Sequence, residues 1–482
     1  MTEWNAQEIA ELSISDVRDG EMDTIRDLIR VWRDRRDRNV VRSLYYDGEQ
    51  AFKDLGLMLP PQLKNAKFYL GWANMAVRKA AIRSQFDGLR IPGSDDPFEL
   101  GEILDQNNFG LELSQSIVSG YKHGVSFVTV AAGLPGEAEV QIQGHEASSA
   151  SAIWDGRNRR VKAGLTISDT DKRGPTAFVV YLPDVVLICE RNAVGRWAAE
   201  RVPNPVGRAL MVPIPYDPQI NTPFGRSRIS NPVMSLTDMA VRAYVRMEGN
   251  AEFYSSPQVA IEGIDPEAFD NVSEQKKFQL AMDRLLALSR DADGNAPTIK
   301  QLQQATMTPH SDMLRTVAMA FSGETGIPPS SLGIIHDQPS SAEAIRANEH
   351  DLLIDVQYQN RFVLASAVKQ IAQYAVMVRD NLSVVPDEMH RLSSEFVDPE
   401  FRSTSANADA AVKLASIPGL AESTVVLEQI FNEDQIERIK ADRRQSSISD
   451  FMNRISGATT GEADRSGAAV AVEQVEVSDD PV

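Results

Sequence analysis

The chain has 482 residues, 42% of them apolar and 24% charged, a balance that excludes wholesale disorder and leaves length for about three domains. Its 49 basic and 68 acidic residues give a formal net charge of −19, which argues against a conventional domain that wraps a nucleic-acid backbone with a basic surface. Cys189 is the one cysteine, so an internal disulfide framework and a cysteine zinc cluster are excluded.

Met1 to Asp16 contains three glutamates and no early basic cluster, so no signal peptide is expected. The most apolar stretch, Ala367 to Val378, is interrupted by Lys369 and Gln370, so no membrane contact is expected. An intracellular, soluble, acidic protein is the expectation.

Residues 20–55 read as a helix dense in charge, with Arg26, Arg30, Arg33, Arg35, Arg36, Arg38 and Arg42 interleaved with Asp27, Asp34 and Asp37. Two readings stand: a solvated face laced with ion pairs, or a basic face that docks a partner or nucleic acid. Tyr45-Tyr46-Asp47-Gly48 predicts the helix end. Residues 63–82 and 97–123 are again expected to be helical. From Gly124 the period changes, with β-type runs at 125–130, 139–143, 161–167, 177–182, 185–190 and 197–202 separated by turn residues, the pattern of an antiparallel meander. Trp154-Asp155-Gly156 reads as a turn with an aromatic anchor.

Pro203, Pro205, Pro213, Pro215, Pro218 and Pro223 predict an extended connector, because proline offers no ladder N–H. Asn231 then reads as an N-cap with Pro232 at the first helical position. Val233, Leu236, Ala240, Ala243, Met247, Ala251 and Tyr254 follow at helical spacing, a stripe of small and apolar residues that implies close contact along roughly 35 Å of helix. A mixed segment follows from Gln258 to Thr306: strand 259–261, helix 274–284, strand 285–289, a turn at 291–294 and strand 298–302. A second helix is expected with Thr308 as cap, Leu314, Val317 and Phe321 on one face, and its end at Gly326. The Pro- and Ser-rich stretch 328–341 cannot be helical throughout. Ser340 to Glu343 forms a capping box that opens a long helix to about Asn381, with Ile345, Leu352, Val356, Val363, Ala367, Ile371 and Tyr374 as its stripe. Helical pieces are expected near 404–416, 422–430 and 433–454. The Gly-, Ala- and acid-rich segment from Gly457 to Val482 reads as disordered.

Motifs for chemistry are absent. The chain has no Walker A sequence and no G-x-G-x-x-G after a strand. His123, His145, His310, His336, His350 and His390 lack metal-ligand spacing. The S-x-x-K matches Ser119…Lys122 and Ser366…Lys369 come without the companion motifs of a serine hydrolase. No cofactor, metal or catalytic residue is expected.

The order of elements is the informative signal. A proline connector leads into Phe224-Gly225-Arg226-Ser227-Arg228-Ile229 and a long helix. An insertion beginning Pro257-Gln258-Val259-Ala260-Ile261-Glu262-Gly263 follows, then a second helix ending Thr325-Gly326-Ile327-Pro328-Pro329-Ser330-Ser331-Leu332-Gly333. Ser340-Ser341-Ala342-Glu343-Ala344-Ile345 opens the long helix. Over about residues 20–455 this resembles the portal proteins of long-tailed bacteriophages. Ala342 departs from a glycine common in that family.

The resemblance implies an α+β subunit and no enzyme activity. It implies a wing in 1–225, a first stem helix in 226–256, a clip in 257–306 and a second stem helix in 307–327. A tunnel loop in 328–341, the long helix and the rest of the wing in 342–400, a helical crown in 401–456 and an acidic tail in 457–482 would complete it. Pro329, Ser330, Ser331, Leu332, Gly333, Ile334, Ile335, His336, Asp337 and Gln338 would face DNA in the channel. Val233, Leu236, Ala240, Ala243, Met247, Ala251, Leu314, Val317 and Phe321 would pack the stem, so that an arginine at Ala240 or Ala243 would block ring formation. The implied partners are about eleven further copies in a closed ring, the terminase large subunit, a head–tail connector or adaptor protein, the major capsid and scaffold proteins, and double-stranded DNA. The implied location is a capsid vertex of the virion, with assembly in the host cytoplasm. Two other classes remain: a different phage head or connector protein, and a hydrolase using Ser119 or Ser366. From the residues alone, 328–341 reads equally as an ordinary helix–helix loop, and the acidity equally as a solubility device or as a non-adhesive channel wall.

Overall fold

In a computed structural model the described residues are 4, 6–50, 68–92, 94, 96–172, 174–255, 259–262, 298–301, 306–333 and 342–400, with isolated positions 413, 436 and 438. The chain divides into two units, Met1–Glu400 and Phe401–Val482. Apart from positions 413, 436 and 438 the expected crown lies outside the described residues, as do the whole tail, the helix 274–284, the strand 285–289 and the turn 291–294. Helix and strand are mixed throughout the first unit, an α+β content.

After a short helix α1 (Ala6–Glu11) and strand β1 (Ile14–Ser15), the arginine-rich helix α2 runs Asp19–Asp47. Glu21 Oε2 accepts the Arg18 backbone N–H at 2.9 Å, and Gly48 ends the helix in the left-handed region at φ 74°, which glycine enters without a Cβ clash. On its first turns the arginines are paired: Arg26 with Asp23 at 3.3 Å, Arg30 with Asp27 at 2.9 Å and Arg33 with Asp34 at 2.9 Å. The solvated-face reading holds there.

Helix α3 is Trp72–Ala81, shorter than the expected 63–82: residues 68–70 are not helical, and 63–67 lie outside the described residues. After strand β2 (Phe86–Arg90), the expected helix 97–123 is split into α4 (Leu100–Gln106) and α5 (Phe109–His123). The break has a tertiary cause. Asn107 Nδ2 donates to Ile103 O and to Val140 O, each at 2.8 Å, while its Oδ1 accepts the Ile142 N–H at 2.8 Å. Its amide substitutes for helical bonds and ties the break to a strand edge.

The β-type runs form the strands expected: β3 (Val125–Ala132), β4 (Val140–Glu146), β6 (Arg160–Asp171), β7 (Gly174–Tyr181), β8 (Val185–Arg191) and β9 (Trp197–Pro203). They do not make one sheet. β5 (Ala150–Asp155) to β9 form the antiparallel meander, with β1 added parallel at the β9 edge. β3 and β4 instead form a three-stranded sheet with β10 (Met211–Pro215). Two readings need correction. Trp154 lies in strand β5, not in a turn; the turn follows it, where Asp155 Oδ1 accepts the N–H groups of Arg157 at 2.9 Å and Asn158 at 3.1 Å.

The proline connector also holds a strand. Val130 N–H bonds to Leu210 O and Tyr216 N–H to Gly124 O, so the even positions of β10 bond to β3. Pro213 and Pro215 occupy the alternate positions of an edge strand, where the missing N–H points away from the ladder.

Inward residues of β8, Val185, Leu187 and Cys189, alternate with outward ones and pack with Ile25, Leu28 and Ile29 of α2 in one core. Burial pushes the Cys189 thiol up to about 12, so it is an inert packing residue. A second, larger core gathers α3, α5, the three-stranded sheet and the helices that follow.

Helix α6 (Asn231–Ser255) begins one residue earlier than expected: Ser230 Oγ, not Asn231, accepts the Val233 N–H at 3.3 Å. Helix α7 (Thr308–Thr325) is likewise flanked by Met307 rather than capped by Thr308, and ends at Gly326 as expected. Between them β11 (Val259–Glu262) and β12 (Thr298–Gln301) pair antiparallel, in agreement with the strand expectations at both positions. After α7 come a turn of 3₁₀ helix, Pro329–Leu332, and then α8 (Ala342–Tyr358), a π-helical segment Gln359–Leu364 and α9 (Ala365–Arg379) in one continuous run. The π segment inserts one residue into the helical repeat. Leu364, fully buried, takes the core position expected for Val363, which is only half-buried. Strand β13 (Ser393–Phe396) returns to pair with β2. The capping box at Ser340 lies outside the described residues.

Candidate functional site

The predicted stem-packing residues come together, but inside one subunit. Helices α6 and α7 lie antiparallel: Ser230 bonds Glu324 at 3.0 Å near one end, Arg246 approaches Met313 Sδ at 3.5 Å, and Asn250 contacts His310 near the other. Val233, Ala240 and Ala243 are at most 1% exposed and share a core with Leu314, Val317 and Phe321. Leu236 and Met247 are half-buried against the same core, and Ala251 is exposed. This corrects the expectation that the small-residue stripe faces neighbouring copies. Small side chains let α6 approach its own chain closely, and that contact already covers them. An arginine at Ala240 or Ala243 would strike the subunit's own core first.

The segment after α7 is anchored where it was expected to be free. Leu332 is 5% exposed and belongs to the large core, with Ile327 at 0% beneath the turn. Leu332 is thus a packing residue rather than one that faces a channel. Pro329 and Ser331 are half-buried, Ser330 and Gly333 are exposed. Ile334, Ile335, His336, Asp337 and Gln338 lie outside the described residues.

A buried polar cluster ties these parts together. Arg228, 8% exposed, donates to Ala76 O in α3 at 2.6 Å, Thr325 O at the end of α7 at 2.7 Å, the Tyr216 hydroxyl at 2.6 Å and Asp355 Oδ2 in α8 at 2.5 Å. The Tyr216 hydroxyl also donates to Asp355 Oδ2 at 2.7 Å. Burial opposes the Arg228 charge, but Tyr216 and Asp355 together hold the guanidinium firmly protonated. A planar donor fork serves four acceptors, three on helices α3, α7 and α8 and one just after strand β10, a role that lysine cannot fill. The sequence carried half of the signal, since Arg228 lies in the 224–229 stretch of the resemblance. Asp355 had none: it is one acid among many on a long helix. A cleft of about 430 Å³ opens beside the cluster, with Asp217, Glu324, Asp351 and Asp355 among its lining against Arg226 and Arg228.

The serine motif does not form a catalytic pair at Ser119. The Lys122 ammonium bonds Glu146 Oε1 at 2.6 Å, and His123 Nε2 meets the same oxygen at 2.6 Å. Those two contacts, His123 first, hold the Glu146 carboxyl well below its usual range. Ser366 is exposed on α9. Among the described residues no group of histidine, cysteine and acid side chains has a metal-binding arrangement.

No protein-family model matches the sequence. The chain is 30% identical over 382 residues to the portal protein of Mycobacterium phage L5, a match covering 77% of each chain. The chain belongs to the phage portal proteins. This portal protein is also 29% identical over 381 residues to the portal protein of Mycobacterium phage D29, again over 77% of each. Solved structures similar to it include a chain of the neck of a native gene transfer agent particle computed with C12 symmetry, at 12% identity and TM-score 0.39 over 81% of this chain and 98% of that one. A chain of the virion of that particle type matches at 14% identity and TM-score 0.40, over 74% and 89%. The portal assignment makes the chain a structural component of a phage virion, and portal proteins are structural rather than catalytic.

Proposed function

We propose that this portal protein closes into a ring of about twelve copies at one capsid vertex and forms the channel through which double-stranded DNA enters and leaves. The observation that carries the reading is the antiparallel pair α6–α7 bracketing the β11–β12 ladder, in a chain that belongs to the portal proteins. Residues 226–256 and 307–327 act as stem, and 257–306 as the clip that meets the terminase large subunit and later the head–tail connector. The wing comprises 1–225 and 342–400, the crown 401–456, and the acidic tail 457–482. Major capsid and scaffold proteins meet the ring during assembly in the host cytoplasm.

The tunnel loop is narrower than the resemblance implies. Leu332 is fastened in the core, so the channel-facing part starts after Gly333, at Ile334 and Ile335. A ring of about twelve copies carries roughly −230 charges, from −19 per chain, which keeps duplex DNA from adhering. With Ala240 and Ala243 covered, contacts between copies use exposed apolar surface. Ile354, Tyr358 and Phe362 offer such a row on α8 and the π segment, 51, 52 and 58% exposed.

Electron microscopy of the purified protein tests the ring. Particles with a central hole wide enough for a duplex are expected; a uniform monomer population at high concentration would overturn the reading. The loop is tested by converting Ile334 and Ile335 to lysine. Rings should still form, while DNA packaging stalls at low salt and recovers in part as salt rises. Packaging at the wild-type rate at both salts would remove the loop from the channel.

A further inference from the structure

We infer that a cleft between helix α2 and the 221–231 segment is a binding site for a phosphate-bearing anion. The cleft encloses about 550 Å³, the size of an ordinary small-ligand site. Arg35, Arg38 and Arg42 line it from α2 and Arg226 from the opposite side, and no aspartate or glutamate is among its lining residues. That is the reverse of the neighbouring cleft beside Arg228, where four carboxylates outnumber two arginines. It is also the reverse of the chain as a whole, at −19.

The spacing is built in. Positions 35, 38 and 42 recur at three and four residues, so the three guanidinium groups share one face over about 10 Å of helix. Like charges on one face repel, and the earlier turns of α2 avoid this by pairing arginines with Asp23, Asp27 and Asp34. Among the described residues no carboxylate lies within ion-pair distance of Arg35 or Arg38. Glu146, which meets the lining residue His123, is taken by Lys122 and His123.

The floor is equally unusual. Arg42 Nη1 donates to His123 O at 2.5 Å, but its buried Nε has no partner. Burial first, and then the charges of Arg38 and Arg35, lower the Arg42 guanidinium to about 10. His123 has a fully buried side chain, uses Nε2 on Glu146, and leaves Nδ1 without a partner. A bound dianion would relieve the repulsion among the arginines and supply acceptors for their forked donors, the chemistry that favours arginine for phosphate. Phosphate of this kind has two sources here, a free oligophosphate or nucleotide, and the backbone of a nucleic-acid strand. The site does not depend on the ring reading.

The test uses the full-length protein, with its oligomeric state recorded by light scattering. Calorimetry with inorganic pyrophosphate and with a nucleoside triphosphate probes the free source; fluorescence anisotropy with a short labelled single-stranded DNA probes the strand. Saturable binding is expected in at least one arm, weakening as salt rises. The exposed pair Arg35→Ala/Arg38→Ala should weaken it at least tenfold with the melting temperature unchanged. Arg30→Ala, whose arginine is paired with Asp27, should leave it unchanged. Binding of the free phosphates alone assigns the small-ligand source; DNA binding competed by pyrophosphate assigns the strand. No saturable binding below 1 mM, equal loss in Arg30→Ala, no loss in the double variant, or capture of an acidic peptide in place of phosphate would each overturn the proposal.

Discussion

Arg228 and Asp355 stand 127 positions apart in sequence, yet the guanidinium meets the carboxylate at 2.5 Å. The pair fastens the entrance of α6 to the long helix α8, and the same guanidinium holds the last turn of α7 through Thr325 O. One side chain thus joins the α6 entrance, the end of α7 and α8, beside the packing of Phe321, Leu352 and Val356 in the same core.

Replacing Arg228 by methionine leaves the Ala76 and Thr325 carbonyls without their donor and the Asp355 carboxylate without its counter-charge. A loss of about 3–5 kcal/mol is expected, the usual result of removing one partner of a buried pair. Asp355→Asn should cost less, because that side chain is 40% exposed and water replaces part of the interaction. Urea denaturation of the two variants checks the order; equal losses would show that Asp355 is the main anchor.

Ala243→Arg is expected to destabilise the subunit itself, because the position has no exposed area and shares the core with Val317 and Phe321. Burying an unpaired guanidinium there costs several kcal/mol. Limited proteolysis should reveal an unfolded chain. A folded, protease-resistant monomer would return the stripe to the interface between copies.

Leu364→Ala should cost about 2–5 kcal/mol as a buried large-to-small change, and Val363→Ala far less. The two thermal melts, taken together, read the frame of the π segment directly. A larger loss at Val363 would mean an uninterrupted α-helix.

Glu21 and Arg201 form a two-bond ion pair at 2.7 and 2.8 Å. The Arg201 hydrogen bonds hold the Glu21 carboxyl at about 2 against an ordinary 4.5. Since the folded-state value lies below the unfolded one, the stabilisation is complete above pH 4.5 and is lost as pH falls toward 2. Glu21→Gln should therefore lower stability at neutral pH by about 1 kcal/mol. Urea midpoints for wild type and variant should converge over that acid window; a constant gap would show that the contact acts through packing alone.

What the sequence determined by itself was local. Alternating β-branched runs placed most of the strands, Gly48 and Gly326 placed two helix ends, and the order of connector, helix, insertion and helix pointed to the portal family. The strand and helix-end signals come from neighbours a few residues apart, and the order is read linearly along the chain, so neither needs reference to the fold. Only the tertiary structure decided which surfaces those elements cover. The break at Asn107 depends on bonds to Val140 and Ile142, and the strand at Pro213 is permitted because its partner β3 lies on one side only. The exchange of Val363 for Leu364 follows from one residue inserted in the helical repeat. Ala240 and Ala243 looked like a surface for another copy, because periodicity shows that a face is apolar but not what it meets. Asp355 was illegible for the same reason: its meaning is a contact with Arg228, and partners that distant in sequence are chosen by packing.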